Sequence, residues 1–86
     1  MPTQKVEGSF LVKKRAAAFV RLKMVEPGTD ELILHISRFE PEYSSALRED
    51  IDTLEPGEIR SVTIESETGG TPWRFVDVGE RIGYGV

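Results

Sequence analysis

Apolar and polar residues alternate along most of this chain, and a period of two is typical of β-strands with one buried face. In the first such segment, Val6, Phe10 and Val12 fall on one face, opposite mostly charged and polar residues. A short helix would also suit the alanines at 16–18, but the β-branched and aromatic residues that follow favour a strand. The pattern predicts five strands, at about residues 5–13, 16–24, 32–37, 59–67 and 73–78.

Proline and glycine separate several of these strands, as they do where a chain reverses direction. The predicted turns lie at residues 26–30 (EPGTD), 54–58 (LEPGE) and 68–72 (TGGTP). We expect an ordered core over about residues 6–78, with a flexible N-terminus at 1–4 and a flexible tail at 80–86. A chain of 86 residues has the length of a single domain.

A helical spacing interrupts the alternation between the third and fourth strands. Leu47, Ile51 and Leu54 recur three or four residues apart behind Ser44, a residue type that caps helix N-termini. We therefore predict a short helix within residues 44–54. Five antiparallel strands with a short helix between strands 3 and 4 is the element order of an OB-fold, whose closed barrel hides strand edges. The predicted fold class is all-β, a five-stranded antiparallel barrel of this type.

The single histidine lies in the third predicted strand. His35 alternates with Leu34 and Ile36, so it falls on the face opposite these apolar residues and we expect it to be exposed. The chain has no cysteine and no second histidine to complete a metal site. No nucleophile, oxyanion site or cofactor loop accompanies His35, and we expect a protein that is not an enzyme and uses no cofactor or metal.

Charge is distributed unevenly along the chain. The net charge is −4, yet residues 1–39 carry seven Lys or Arg against four acidic residues, whereas residues 40–86 carry four against eleven. The asymmetry suggests a basic face on an acidic remainder, and chance scatter over a solvated surface explains it equally well. An acidic total argues against gripping duplex DNA by charge alone.

The sequence shows no targeting or membrane-spanning pattern. The first residues, MPTQKVEGS, lack the basic and then apolar order of a signal peptide. The longest wholly apolar run, residues 16–20, is far too short to cross a bilayer. We expect a cytoplasmic protein without membrane contact, and a monomer.

Three short motifs resemble those of the cold-shock domain family. Residues 8–22 (GSFLVKKRAAAFVRL) are similar to its glycine-led strand, basic turn and Gly-Phe-Gly-Phe motif, with Phe19 at the first aromatic position and Arg21 at the second. Residues 32–37 (LILHIS) are similar to Val-Phe-Val-His-Phe-Ser and keep its histidine and serine. Residues 54–60 (LEPGEIR) resemble Leu-x-x-Gly-x-x-aliphatic, with the aliphatic residue one position early.

The resemblance covers about residues 6–78 and implies a non-enzymatic binder of single-stranded RNA or DNA, such as an RNA chaperone or accessory gene-expression factor. Family members stack bases on aromatic residues of the first three strands, and stacking contributes ~1–3 kcal/mol per base. Four of those positions differ here: Val12, Lys13, Ile33 and Ile36. We therefore expect weak, salt-sensitive binding in which basic residues partly replace stacking. The candidate nucleic-acid-binding residues are Lys13, Lys14, Phe19, Arg21, Lys23, Ile33, His35 and Arg38.

A second hypothesis is an OB-fold that has lost nucleic-acid binding and acts through a protein partner. An exposed apolar patch around Ile33 and Ile36, extended by Leu11 and Val12, would then be the contact surface. Two aromatic residues also have two interpretations. Phe19 either forms a stacking platform or packs under segment 38–53. Trp73 either stacks a ligand or closes the core, and the core is favoured because Trp buries so much surface.

Overall fold

The computed structural model describes residues 3–25, 33–67 and 72–85. Within these ranges the chain forms one sheet of five antiparallel strands and one short helix, as the sequence predicts. The elements are β1 (Gln4–Arg15), β2 (Phe19–Met24), β3 (Ile33–Ser37), α1 (Ser45–Asp52), β4 (Glu58–Ser66) and β5 (Arg74–Tyr84). The predicted turn at 26–30, Leu32, and residues 68–71 of the turn before β5 lie outside the described residues.

The long strand β1 is the centre of the sheet, whose strand order is β3-β2-β1-β4-β5. It pairs antiparallel with β2 along one edge and with β4 along the other. A single parallel bridge joins Ile36 on β3 to Trp73, the residue that precedes β5. The two outer strands of this order therefore approach each other at that bridge.

The hydrophobic core occupies one face of this sheet, because the alternation along the strands directs every second side chain inward. Phe10 and Val12 on β1 are buried, and apolar residues of the neighbouring strands pack with them. Trp73 is also buried, which confirms the core interpretation of this residue. The remaining buried apolar residues are Val20, Leu22, Leu34, Ile36, Tyr43, Ile51, Leu54, Val62, Ile64, Phe75 and Val78.

The short helix α1 begins where the sequence predicts. The Ser44 hydroxyl accepts a hydrogen bond from the Leu47 N–H at 3.1 Å, which satisfies one of the free amides of the first turn. Ile51 and Leu54 are fully buried, so the apolar side of this segment packs on the core. The helix α1 has eight residues and is the one helix in the described part of the chain. No helix in that part is long and apolar enough to cross a membrane.

The turn between β1 and β2 lies later in the chain than the alternation predicts. β1 continues through Arg15, and β2 begins at Phe19 rather than at residue 16. The Ala16 N–H donates to the Phe19 carbonyl at 2.9 Å and closes the turn. Ala17 and Ala18 are exposed, because alanine buries too little apolar surface to hold a strand on the core.

The strand β5 is longer than the pattern predicts. Its alternation ends at Val78, but the strand continues to Tyr84, which lies opposite Glu58 on β4. Residues 80–84 thus belong to the sheet, although we expected a flexible tail there. Gln4, expected in a flexible N-terminus, likewise pairs with Ser66. Register shifts interrupt the β4–β5 pairing, and such irregularities remove the strict alternation on which a sequence pattern depends.

Candidate functional site

A row of basic side chains crosses the outer face of β1, β2 and β3, on the side of the sheet away from the core. Lys14 on β1 lies opposite Arg21 on β2, and Arg21 lies opposite His35 on β3. Neighbouring strands are ~4.8 Å apart, so this row spans about 10 Å. His35 and Lys14 are exposed, as the alternation predicts for His35, and Arg21 is half-buried between them.

A β-bulge places a second lysine at the β1 end of this row. Val12 pairs with Leu22 and Lys14 pairs with Arg21, so Lys13 is the extra residue on β1. In a bulge two residues oppose one residue of the partner strand, and here both of them are lysines opposite Arg21. Both side chains are exposed. The bulge therefore concentrates positive charge at this point of the outer face.

The Phe19 and His35 rings stack on each other across β2 and β3. Their centroids are 5.2 Å apart and their planes differ by only 6°. Phe19 lies opposite Ser37, two residues beyond His35, so the rings meet diagonally across the two strands. Phe19 is half-buried and does not belong to the hydrophobic core. The pair is a flat aromatic surface beside the basic row.

Arg21 fixes the other side of the imidazole. Its Nε–H donates a hydrogen bond to His35 Nε2 at 3.1 Å. In this arrangement Nε2 is the hydrogen-bond acceptor, and Nδ1 is the ring nitrogen left to donate to another group. His35 is thus held in place by one stacking contact and one hydrogen bond, both from β2.

A second row lies one step along the strands and contains Ile33, Lys23 and Leu11. Lys23 on β2 pairs with Leu11 on one side and with Ile33 on the other. Ile33 is 45% exposed, whereas Lys23 and Leu11 are half-buried. This row adds one cation and an accessible aliphatic side chain to the same face.

The cations of this face have no carboxylate partners in the described ranges. The ion pairs there are Arg38–Asp52, Arg60–Glu58 and those of Arg74 with Glu65 and Glu67. None of them involves Lys13, Lys14, Arg21 or Lys23. The positive charge of the outer face is therefore available to an anionic ligand.

Arg38, the eighth candidate, does not join this group. Its guanidinium binds the carboxylate of Asp52 at 2.8 Å and donates to the backbone carbonyl of Ala16, and its side chain is only 16% exposed. Arg15 reaches the same region and donates to the carbonyls of Asp52 and Leu54. Cations at the C-terminal end of α1 compensate its free carbonyls. Arg38 and Arg15 thus join the β1–β2 turn to the helix.

The apolar patch proposed for a protein partner is not formed as predicted. Ile36 and Val12 are fully buried, with relative exposures of 0% and 1%. Ile36 shares its strand face with Leu34, and Val12 shares its face with Phe10, so the alternation directs both inward. Of the residues in that patch, only Ile33 is exposed and Leu11 is half-buried.

An aromatic residue that the sequence interpretation passed over lies at the end of β3. Phe39 is 54% exposed, and the guanidinium carbon of Arg38 lies 5.3 Å from the centre of its ring. The Ser37 hydroxyl donates to the Phe39 carbonyl at 2.9 Å and fixes the backbone there. Residue 39 has the same strand parity as His35 and Ser37, and this parity indicates exposure on the outer face. The strand predicted from the sequence ended at Ser37, so it did not include Phe39.

The described residues also line a small cavity between the segment around Tyr43 and strands β4 and β5, and none of the candidate residues of the outer face lines it. Its volume is about 190 Å³, and its lining includes Tyr43, Leu47, Glu65 and Arg74. Two carboxylates, those of Glu67 and Glu65, bind the Arg74 guanidinium and raise its pKa. Because the Arg74 guanidinium is already paired, the cavity is a weaker binding site for an anion than the outer face.

Comparisons of the chain with models of protein families, with curated proteins and with solved structures find no match.

Proposed function

We propose that this protein binds single-stranded RNA or DNA without catalysing a reaction, through the outer face of β1, β2 and β3. The observation that carries the proposal is the stacked Phe19–His35 pair beside a row of cations that form no ion pair with a carboxylate of the described residues. Aromatic surface and positive charge, side by side on a sheet, are the two features with which single strands are bound in a sequence-tolerant way.

The aromatic pair supplies the stacking surface in this proposal. Each ring of the pair covers one face of the other, so a base adds to the outside of the stack. His35 is the more exposed of the two and is the first platform for a base. Phe39, also exposed, offers a second platform at the end of β3. Each base stacked in this way contributes ~1–3 kcal/mol.

The basic side chains supply the phosphate contacts. Lys13 and Lys14 on β1 and Lys23 on β2 lie on the strands around the aromatic pair, and in this proposal they contact the phosphates of a strand that passes over the rings. Arg38 has a structural role in this proposal because its guanidinium is already bound by Asp52 and the β1–β2 turn. A surface with few platforms and several cations favours weak and strongly salt-dependent binding.

An OB-type barrel is the finer fold that we propose for this sheet. The parallel bridge between Ile36 and Trp73 supports closure, because it joins the two strands that lie at opposite ends of the strand order. Tyr43 supports it further, since its hydroxyl donates to the Ser37 carbonyl of β3 and accepts from the Phe75 N–H of β5. On such barrels the face of strands 2 and 3 is the usual site for oligonucleotides. A cold-shock-like role as RNA chaperone or accessory expression factor is consistent with that surface.

Fluorescence anisotropy with a labelled oligo-dT or oligo-U at low salt tests the proposal. We expect saturable binding that weakens steeply as salt is raised, because phosphate contacts release counterions. A Phe19→Ala variant should bind more weakly, and Tyr84→Ala, which removes an exposed aromatic from β5, should bind like the unaltered protein. Absence of binding to either oligonucleotide at low salt would reject the function and leave a protein-binding role as the alternative.

A further inference from the structure

A hydrogen bond from Arg21 occupies one ring nitrogen of His35. Its Nε2 accepts from Arg21 Nε at 3.1 Å. A proton on Nε2 would remove that acceptor and place two cations side by side. The hydrogen bond from Arg21 and a proton on Nε2 therefore exclude each other.

The charged groups around His35 are all basic in the described part of the chain. On β2, Arg21 is its direct partner. Lys23, also on β2, pairs with Ile33, which is two residues before His35. On β1, Lys14 lies on the far side of Arg21 in the same row. On β3 itself the flanking residues of the same face, Ile33 and Ser37, are uncharged. Glu7 shares this face on β1 but lies seven residues before Lys14, so the row of His35 itself contains no described carboxylate.

We infer that a bound phosphate group releases Nε2 from Arg21, so that single-strand binding is coupled to uptake of one proton from solvent by His35. This inference rests on the proposed function. The phosphate draws the Arg21 guanidinium away from Nε2 to itself, and the freed Nε2 takes a proton and becomes a second donor to the anion. The surface then gains one positive charge only when an anion is present.

Binding should consequently strengthen as the pH falls. The bound state carries more protons than the free state, so lower pH favours it, and the gain is lost again as the pH rises. The chain has one histidine and no cysteine, so no other side chain type ordinarily titrates between about pH 5.5 and 8. An α-amino group also titrates in this range, so a variant without the imidazole is needed to assign the pH dependence to His35.

The experiment measures the affinity for a labelled oligo-dT at pH 5.5 and at pH 8 at constant ionic strength, with circular dichroism confirming the fold at both. Thymine takes up no proton in this range. We expect affinity about fivefold tighter at pH 5.5, the contribution of one exposed ion pair. The slope of log K against log salt should also steepen by about 0.7. A His35→Phe variant keeps an aromatic ring and has no proton to gain, so its affinity should be the same at both pH values.

The outcomes separate this inference from the function on which it rests. Equal affinity of the unaltered protein at both pH values would overturn the inference and leave nucleic-acid binding intact. A pH dependence that persists in His35→Phe would overturn it as well, because another group would then take up the proton. Absence of binding at either pH would overturn the proposed function itself.

Discussion

The imidazole of His35 lies parallel to the Phe19 ring, with 5.2 Å between their centroids, although the two residues are sixteen positions apart in the chain. Antiparallel pairing of β2 with β3 brings them together diagonally. Neither ring is part of the core, so the stack is a feature of the surface. The stack therefore presents aromatic surface to solvent on the outer face of the sheet.

Removal of the Phe19 ring should weaken binding more than it weakens the fold. In Phe19→Ala, His35 loses its stacking partner, and we expect a loss of ~1–3 kcal/mol in binding free energy to oligo-dT. The measurement is fluorescence anisotropy, with thermal unfolding recorded on the same sample. Unchanged affinity in a folded Phe19→Ala protein would show that the stack is only a surface contact.

Phe39→Ala tests the second platform that we propose. Phe39 is more than half exposed. Among the described residues, the Arg38 guanidinium is the one cation or aromatic group that contacts its ring. We expect a smaller loss than for Phe19, up to ~1 kcal/mol, because base stacking there lacks a neighbouring ring. Affinity equal to that of the unaltered protein would restrict the site to Phe19 and His35.

The unpaired lysines should determine the salt dependence. Each phosphate contact on a single strand contributes about 0.7 to the slope of log K against log salt, so a Lys14→Ala/Lys23→Ala double variant should lose about 1.4. Lys5→Ala is the matched control, since Lys5 is an exposed lysine at the other end of β1, opposite Glu65. A slope that falls equally in the control would indicate attraction by overall charge rather than by this face.

Arg38 should matter for stability rather than for binding. Arg38→Gln removes contacts with Asp52 and with the β1–β2 turn, and we expect ~1–3 kcal/mol loss in the free energy of unfolding. Denaturant unfolding measures this, and oligo-dT affinity at a temperature where the variant is folded should stay close to that of the unaltered protein. A large loss of affinity with unchanged stability would place Arg38 in the binding surface instead.

Tyr43 should hold β3 to β5. Its buried hydroxyl donates to the Ser37 carbonyl at 2.8 Å and accepts from the Phe75 N–H at 3.0 Å, so Tyr43→Phe leaves both groups unsatisfied at a cost of ~1–3 kcal/mol. Burial raises the pKa of Tyr43, although the hydrogen bond from Phe75 opposes the rise.

The raised pKa of Tyr43 determines whether the free energy of unfolding rises or falls at alkaline pH. Folding favours the neutral phenol, so this stabilisation is complete below the ordinary tyrosine pKa of about 10 and is lost as the pH rises through the higher pKa of the folded state. The free energy of unfolding should therefore fall more steeply above pH 10 in the unaltered protein than in Tyr43→Phe. Parallel alkaline curves for the two proteins would contradict this role.

The sequence predicted well those features that depend on strict alternation. The exposure of His35 and the burial of Leu34 follow directly from the period of two, and the helix followed from its cap and its apolar spacing. The burial of Ile36 follows from the same period. The prediction of an exposed apolar patch was wrong at Ile36 and Val12, because both residues lie on the buried face of the alternation.

Other features depend on contacts that no local pattern contains. The bulge at Lys13 comes from a register change between β1 and β2, and it moves the turn to residues 16–18. The structural role of Arg38 depends on Asp52, fourteen positions away and on another element. The extension of β5 to Tyr84 comes from pairing with β4 across an irregular register. Tertiary pairing decides each of these.

Chemical-shift mapping of the isotope-labelled protein, titrated with short oligo-dT at low salt, tests the binding surface most directly. We predict that the backbone amides of Lys14, Phe19, Arg21, Lys23 and His35 shift together and in proportion to occupancy, while those of β5 beyond Val78 do not. Shifts that centre on Ile82 and Tyr84, or no shifts at any oligonucleotide concentration, would contradict the proposal that the outer face of β1, β2 and β3 binds single strands.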